Sequence, residues 1–197
     1  MSHYFETPDQ PADLFEAPMT LWGHEVTLLS SNGVFSARRL DPGTAVLLRT
    51  CDPPTGSPRL LDLGCGIGPI TCALGLAVPQ AQITAIDVNE RAVEMTRLNA
   101  ARLGLGERVT ALTPDEVSDD ERFDEIWSNP PIRIGKPALH LLLSTWLSRL
   151  SPQGRAYLVV ARNLGADSLA GWLLDEGWDC QRLGSAKGYR VFRVSVG

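Results

Sequence analysis

The sequence predicts an α/β fold: a doubly wound, mostly parallel sheet of seven strands with an antiparallel C-terminal edge strand, preceded by a short N-terminal β appendage. From Arg59 onward, apolar strand-like segments alternate with amphipathic helical segments, which is the pattern of parallel strands joined by helices. The last two strand-like segments follow each other without a helix between them, and such a pair forms an antiparallel edge. A chain of 197 residues suits one domain with a sizeable core.

The N-terminal appendage combines turn sequences with short strand-like runs, such as Glu25–Leu29. Asp41 followed by Pro42 predicts a helix start, because aspartate is a good N-cap and proline suits the first helical position. The segment Pro53–Pro58 is rich in proline and glycine, and it predicts a loop between the appendage and the main unit.

The whole chain, residues 1–197, is expected to form one domain, with residues 1–57 as the appendage and 58–197 as the core. The strands predicted in the core are Leu60–Leu63, Gln82–Ile86, Val109–Leu112, Glu125–Trp127, Ala156–Val160, Trp178–Leu183 and Tyr189–Val196. The predicted helices are Gly68–Leu76, Asn89–Leu103, Ala138–Leu150 and Ser168–Glu176, whose apolar residues recur at helical spacing.

The composition is that of a globular protein: 44% hydrophobic, 21% charged, with a mean hydropathy of -0.04. No apolar run approaches the roughly 18–20 residues that a membrane-spanning helix needs. The polar N-terminus has no secretion-signal pattern. We therefore expect a cytoplasmic protein with no membrane partner.

The cysteines and histidines form no metal-binding pattern. The 4 cysteines show no C-x-x-C spacing, and His3, His24 and His140 have no motif around them. We expect buried free thiols in a reducing compartment and no metal site. His140 is interpreted as a surface or packing residue.

The charge distribution does not identify a partner. The net charge is -5, but residues 115–125 contain seven acidic side chains against one arginine. From Gln181 to the end the chain has four basic residues and no acidic one. An acidic chain of this kind can still present a basic face to an anionic partner.

The segment LLDLGCGIGPI, Leu60–Ile70, predicts a strand, a glycine loop and the start of a helix. Its alternate glycines allow a tight turn and close approach of a ligand to the backbone. The spacing differs from the G-x-G-x-x-G that suits a pyrophosphate, and the chain has no P-loop sequence. A plain strand-to-helix turn is the alternative interpretation.

Two acidic residues follow the next predicted strands. Asp87 stands at the tip of the second strand, where a carboxylate can accept hydrogen bonds from ribose hydroxyls. Asp87 or Asn89 can equally cap the helix that follows. Asp115 follows the third strand, where a side chain can reach an adenine amino group, although the acidic run after it is typical of a solvated loop.

The segment FDEIWSNPPI, Phe123–Ile132, ends a strand abruptly. Two consecutive prolines have no N–H and cannot continue sheet pairing. The strand therefore delivers Asn129 to the carboxyl edge of the sheet, where open α/β sheets bind ligands.

The loop LDLGCGIG, Asp87 and SNPPI together resemble the class I S-adenosylmethionine-dependent methyltransferases, and N-P-P marks the branch that methylates amino groups. The segments HYFETP, GVFSARRLDPGTAVLL, NPPIRIGKPALHLLL and KGYRV are similar to the small-domain family of ribosomal RNA guanine-N2 methyltransferases. This resemblance covers nearly the whole chain and implies a Rossmann-like methyltransferase fold.

The resemblance implies S-adenosylmethionine as cofactor, no metal, and ribosomal RNA or the small ribosomal subunit as substrate. A monomer or weak homodimer is expected. The implied cofactor residues are Asp62, Gly64, Cys65, Gly66, Gly68, Asp87, Val88, Asp115, Asn129, Phe35, Ser36, Gly43 and Thr44. The implied catalytic residues are Asn129, Pro130, Pro131 and Ile132.

Amine methylation gives the N-P-P segment a physical rationale. The lone pair of an exocyclic amine is delocalised into its ring, so the amine needs fixed acceptors that turn the lone pair toward the methyl group. Asn129 and the Pro130 carbonyl are implied as these acceptors, and they also stabilise the positive charge that develops on nitrogen. The prolines are expected to lock the loop and to remove competing N–H donors.

Ile132 departs from the aromatic residue that often follows N-P-P and stacks on a flipped base. Arg133, Lys136 and Arg190 are candidates for contacts with RNA phosphates, and solvated surface charges are the alternative.

Other substrates and roles stay open. Methylation of glutamine side chains in release factors also uses N-P-P, but followed by tyrosine. DNA adenine or small-molecule amine methylation and a non-catalytic cofactor-binding role are the remaining alternatives.

Overall fold

The computed structural model describes residues 13–34 and 38–197. The first element is a hairpin of β1 (Leu14–Leu21) and β2 (His24–Ser31), which are fully paired from Leu14–Ser31 to Leu21–His24. The hairpin confirms the predicted β appendage.

The remaining elements alternate as predicted. The helices are α1 (Pro42–Thr50), α2 (Pro69–Ala77), α3 (Glu90–Arg102), α4 (Lys136–Leu147) and α5 (Ala166–Asp175). The strands are β3 (Arg59–Leu63), β4 (Gln82–Ile86), β5 (Val109–Leu112), β6 (Phe123–Ser128), β7 (Leu150–Ala161), β8 (Trp178–Ala186) and β9 (Tyr189–Val196). Short 3-10 turns lie at Pro114–Glu116, Ile132–Ile134 and Arg162–Leu164.

The seven core strands form one sheet in the order β5-β4-β3-β6-β7-β9-β8. Strands β3 to β7 pair in parallel, and β9 is antiparallel to both of its neighbours. The predicted mostly parallel sheet with antiparallel C-terminal strands is confirmed. The structure adds that β9 inserts between β7 and β8, so β8 forms the outer edge.

Successive residues of each strand point to opposite faces of the sheet, and both faces are covered. Leu61 and Ile126 pack with α4 and α5, whereas Leu60 and Trp127 pack with α1 and α2. The order of the strands reverses between β3 and β6, and such a reversal opens a crevice at the carboxyl ends of the strands.

Asn99 of α3 attaches the hairpin to the core. Its amide side chain accepts from the backbone nitrogen of Leu29 at 2.6 Å and donates to the Leu29 carbonyl at 2.8 Å. The same Nδ2 donates to the carbonyl of Ile67 at 2.9 Å. A buried amide that satisfies strand β2 and the glycine loop together fixes the appendage beside the crevice.

Two predicted boundaries were wrong. The helix expected over Ala138–Leu150 begins at Lys136 and ends at Leu147. Strand β7 begins at Leu150, not at Ala156, because it pairs with Phe123 through a register shift opposite Ser151-Pro152-Gln153-Gly154. Turn-forming residues therefore sit in an irregular strand here, and not in a loop.

Candidate active site

A cavity of ≈ 290 Å³ opens at the carboxyl ends of β3, β4 and β6. Its walls include Gly64, Cys65 and Gly66 of the glycine loop, Asp87 and Val88 after β4, and Asn129 to Ile132 after β6. The appendage closes another side with Met19, Leu40, Asp41 and Thr44. Three segments predicted separately therefore meet around one space.

The glycine loop is tied to the neighbouring strand. The backbone nitrogens of Gly64 and Cys65 both donate to the Ile86 carbonyl at 2.9 Å. The backbone nitrogen of Gly66 donates to Oδ2 of Asp87 at 3.0 Å. Hydrogen bonds from the loop backbone, together with the buried side chains of Cys65 and Ile67, fix the loop at the cavity.

Asp87 is positioned by hydrogen bonds from backbone nitrogens. Its Oδ2 accepts from Gly66, and its Oδ1 accepts from the backbone nitrogen of Asn89 at 3.0 Å. Asn89, and not Asp87, caps α3, because its side chain accepts from the backbone nitrogen of Arg91. Burial raises the pKa of Asp87, and the hydrogen bonds from Asn89 and Gly66 oppose that shift. Each carboxylate oxygen keeps a lone pair for a ligand hydroxyl.

Asp62 lies beneath the glycine loop and is fully buried. Its Oδ2 accepts from the backbone nitrogen of Thr71 at 2.9 Å and from the Thr71 hydroxyl at 2.6 Å. Its Oδ1 is buried without a hydrogen-bond partner. Burial raises the pKa of Asp62 to about 7, against the lowering effect of the Thr71 hydrogen bonds. Asp62 is not among the residues that line the cavity, so it braces the start of α2 beneath the glycine loop and does not face the cavity itself.

Gly68 and Gly43 serve packing close to the site. A Cβ at Gly68 would lie 3.0 Å from Oγ1 of Thr96 on α3, and the φ of Gly68 is +84°. A Cβ at Gly43 would lie 2.9 Å from a ring carbon of Tyr189. Neither glycine is among the residues that line the cavity. Because glycine has no Cβ, Gly68 lets α3 pack close to the glycine loop, and Gly43 lets Tyr189 pack close to the start of α1.

Two hydrogen bonds from the side-chain nitrogen of Asn129 fix the position of its amide. Its Nδ2 donates to Oδ1 of Asp41 at 2.7 Å and to the Thr44 hydroxyl at 3.2 Å. The Asn129 oxygen is thereby left as the acceptor at the cavity, where Asn129 lies partly buried.

The Pro130 carbonyl already has one hydrogen bond. The backbone nitrogen of Ile132 donates to it at 2.8 Å. The two prolines supply no N–H themselves, but the N–H of Ile132 competes for the Pro130 carbonyl because the chain turns back immediately after Pro131. A carbonyl oxygen has two lone pairs, so one remains for a substrate.

Asp115 is exposed beside the cavity, where its neighbour Pro114 forms part of the wall. The side-chain hydrogen bond with Thr113 lowers the pKa of the Asp115 carboxyl. Val88 lines the cavity although it is 54% exposed. The predicted cofactor residues Phe35 and Ser36 lie outside the described residues.

The three basic candidates differ in their surroundings. Arg133 is exposed and lines the cavity. The Lys136 ammonium donates to the Ser168 hydroxyl at 3.0 Å. Arg190 forms an ion pair with Asp167 of α5, so its charge is already compensated. His140 stacks on Trp172 with a ring separation of 3.9 Å, which matches its interpretation as a packing residue.

Two residues that line the cavity were not predicted from the sequence as site residues. Asp41 was predicted as a helix N-cap, which it is, but it also lines the cavity and binds Asn129. Tyr189 at the start of β9 lines the same cavity. Desolvation and the charge of Asp41 raise the pKa of Tyr189, and Arg133 opposes them, so the three side chains share one electrostatic environment. The only sequence signal for Asp41 and Tyr189 at the cavity is that both lie in segments similar to the methyltransferase family.

Cys51, Cys65 and Cys72 are buried free thiols, as predicted, whereas Cys180 is a free thiol that is only partly buried. Burial raises the pKa of the Cys51 and Cys72 thiols to about 12. In the described part of the chain, no group of three or more His, Cys, Asp and Glu side chains is arranged to hold a metal ion. Within residues 13–34 and 38–197, no helix has the length and apolar character required to cross a membrane.

The cavity fits S-adenosylmethionine. The backbone donors leave Asp87 with acceptor capacity for ribose hydroxyls, and Gly64 and Gly66 present backbone without a side chain at the cavity wall. At Gly64 an added Cβ would meet only Pro131, at 4.0 Å, so the open side of the loop faces the N-P-P segment. The fold and this site define a class I S-adenosylmethionine-dependent methyltransferase.

Comparison with known proteins agrees with that class. Residues 25–193 match the methyltransferase small domain, and the chain belongs to this family. A relative from Bacillus subtilis, the uncharacterised protein YbxB, is 30% identical over 195 residues, 98% of this chain and 96% of that protein. Ribosomal RNA small subunit methyltransferase C of Pseudomonas entomophila is 34% identical over 191 residues, 94% of this chain.

A solved structure has the same architecture. The T. thermophilus 16S rRNA N2 methyltransferase RsmC, in complex with AdoMet and guanosine, superimposes with a TM-score of 0.82 at 25% identity over 96% of this chain. This chain covers 52% of that structure and 55% of the Pseudomonas protein, so it spans about half the length of either.

Proposed function

We propose that this protein transfers the methyl group of S-adenosylmethionine to an exocyclic amino group, and that the substrate is guanine N2 of small-subunit ribosomal RNA. The observation that carries the proposal is the placement of Asn129-Pro130-Pro131 in the same cavity as Gly64, Gly66 and Asp87. Amine acceptors and cofactor residues therefore face one space.

In this proposal, one group of residues binds the cofactor and another orients the amino group. Asp87 and the glycine loop hold the cofactor, whose sulfonium supplies an electrophilic methyl group when bound. Asn129 Oδ1 and the free lone pair of the Pro130 carbonyl accept hydrogen bonds from the amino group and orient its lone pair. The same acceptors stabilise the positive charge that develops on nitrogen. The methylated ammonium is strongly acidic, so no dedicated base is required.

Tyr189 would supply the aromatic surface that Ile132 lacks. It lies in the cavity wall with Ile132 and Arg133, and its ring packs against the first turn of α1 at Gly43. An aromatic ring stacks on a base at a gain of about 1–3 kcal/mol. An aliphatic residue after N-P-P is then compatible with a nucleobase substrate.

The relatives support RNA as the substrate class. The Pseudomonas relative is a ribosomal RNA small subunit methyltransferase, and the T. thermophilus structure is a complex with AdoMet and guanosine. Arg133, exposed in the wall of the cavity, is suited to phosphate contacts, and the exposed Lys136 at the start of α4 can add a second contact outside that wall. Arg190 is the weakest of the three candidates because Asp167 compensates its charge.

The second candidate is a glutamine side chain of a release factor, because it also offers a planar amide nitrogen. Ile132 and Arg133 after N-P-P argue against it. The test offers methyl-labelled cofactor with small ribosomal subunits, naked ribosomal RNA and release factors in parallel. We expect label in RNA guanine. Label that appears only in protein would overturn the RNA assignment.

A further inference from the structure

We propose that Asp41 is a positioning residue for methyl transfer, which holds the Asn129 side chain with its oxygen toward the substrate. The proposal rests on the proposed function, because it requires Asn129 to accept a hydrogen bond from the reacting amine. Asp41 and Asn129 lie 88 residues apart in sequence and 2.7 Å apart between Oδ1 and Nδ2.

An asparagine side chain can present either end to a substrate. Rotation by about 180° exchanges the acceptor oxygen and the donor NH2, and only the oxygen can bind an amine N–H productively. The Asp41 carboxylate accepts and does not donate. A rotated Asn129 would place its oxygen against that of Asp41 and would lose the bond to Asp41. The carboxylate therefore selects the catalytically useful orientation.

Asp41 is itself rigidly held. The same Oδ1 accepts from the backbone nitrogens of Gly43 at 2.7 Å and Thr44 at 3.1 Å, which makes it the N-cap of α1. The Thr44 hydroxyl, 3.2 Å from Asn129 Nδ2, adds a second contact from the same turn. The start of α1 and the N-P-P loop thus form one unit at the cavity.

The negative charge has a second consequence. A carboxylate that accepts from the Asn129 NH2 polarises the amide and strengthens its oxygen as an acceptor. Asp41 also lines the cavity in which positive charge develops on the amine. Both effects favour the transition state over the bound ground state, so their loss should lower turnover more than cofactor binding.

Asp41→Asn tests this role without removing the cap. Asparagine is as good an N-cap as aspartate, so α1 should begin at the same residue. The oxygen that caps α1 also faces Asn129, so an asparagine at position 41 keeps an acceptor there, but this neutral acceptor holds the Asn129 orientation less strongly than a carboxylate does. We expect turnover to fall by about 5- to 10-fold, because a charge-assisted hydrogen bond becomes a neutral one, with cofactor Kd and thermal midpoint unchanged. Asp52→Asn, exposed beyond the other end of α1, is the control and should retain wild-type turnover.

A double-mutant cycle separates the positioning role from a general effect. In single-turnover assays with methyl-labelled cofactor, Asp41→Asn should cause a smaller loss once Asn129 is alanine, because only the direct effect of the Asp41 charge on the cavity remains. An equal loss from Asp41→Asn in both backgrounds would overturn the positioning role. Full activity of Asp41→Asn beside an inactive Asn129→Ala would overturn that role alone, whereas wild-type activity of Asn129→Ala would overturn the proposed function itself.

Discussion

The backbone nitrogen of Gly66 donates to the Asp87 carboxylate at 3.0 Å, so the glycine loop after β3 and the tip of β4 form one structure. Each of these features alone is a weak indication of a cofactor site. Their bond fixes the distance between the residues that would face the methionine and the ribose parts of S-adenosylmethionine. Because of this hydrogen bond, a substitution of Asp87 affects the glycine loop as well as the tip of β4.

Asp87→Ala should weaken S-adenosylmethionine binding by at least about tenfold, because it removes hydrogen bonds between a charged acceptor and both the ligand and Gly66. Asp87→Asn should lose less, since one side-chain oxygen remains. Isothermal titration calorimetry with the cofactor measures both. Glu94→Gln on the exposed side of α3 is the matched control. Equal affinity of Asp87→Ala and wild type would exclude the proposed ribose site.

Asp62 should make the stability of the ligand-free protein depend on pH. Burial raises its pKa in the folded protein to about 7, above the ordinary value of 3.8, so folding favours the protonated form. The contribution of Asp62 is fully present below about pH 4 and is lost as the pH rises through about 7, by up to about 4 kcal/mol. Asp62→Asn removes this titration.

Denaturant unfolding of wild type and Asp62→Asn at several pH values between 4 and 8 measures the effect. The difference between their free energies of unfolding should move in favour of the variant as the pH rises. A difference that stays constant over this range would show that Asp62 titrates as an ordinary carboxyl.

Tyr189 should contribute to substrate binding and not to cofactor binding. Tyr189→Leu removes the aromatic face and should raise the KM for RNA by about 5- to 100-fold, the value of one stacking contact. Tyr189→Phe keeps the ring and should differ little from wild type. Steady-state methyl transfer at saturating cofactor distinguishes them. Leucine and phenylalanine variants with the same KM would refute stacking on Tyr189.

Arg133 and Lys136 should carry part of the electrostatic affinity for RNA. Replacing each with glutamine should weaken binding and reduce the slope of log affinity against log salt by about 1 per residue. Filter binding at a series of salt concentrations measures this slope. Arg182→Gln removes an exposed charge of β8 at the outer edge of the sheet and serves as control. An unchanged slope in the Arg133 and Lys136 variants would identify their charges as solvated surface charges.

The sequence predicted the sheet and the local motifs because both depend on neighbours in the chain. Alternating apolar segments define the strands, and Asp41-Pro42 defines the start of α1 whatever lies opposite. Residues whose role depends on a distant partner were not predictable in this way. Asp41 was recognised as a cap, but its contact with Asn129 exists only after β6 has entered the sheet beside β3.

The glycine loop shows the same limit on a smaller scale. Gly64, Gly66 and Gly68 look equivalent in sequence, yet the first two line the cavity and the third packs against Thr96. Local spacing gives the turn, whereas the packing of α3 decides which glycine faces the ligand. Strand β7 was predicted too short for a related reason, since pairing with β6 extends it through turn-forming residues.

The central claim is that Asn129 orients an RNA amine for methyl transfer. Nucleoside mass spectrometry of small-subunit ribosomal RNA from a strain that lacks the gene, complemented with wild type or with Asn129→Ala, tests it most directly. We predict that N2-methylguanosine is lost at one position in the deletion strain, returns with wild type, and does not return with Asn129→Ala although the variant still binds S-adenosylmethionine. Full restoration of N2-methylguanosine by Asn129→Ala, or no loss in the deletion strain, would contradict the claim.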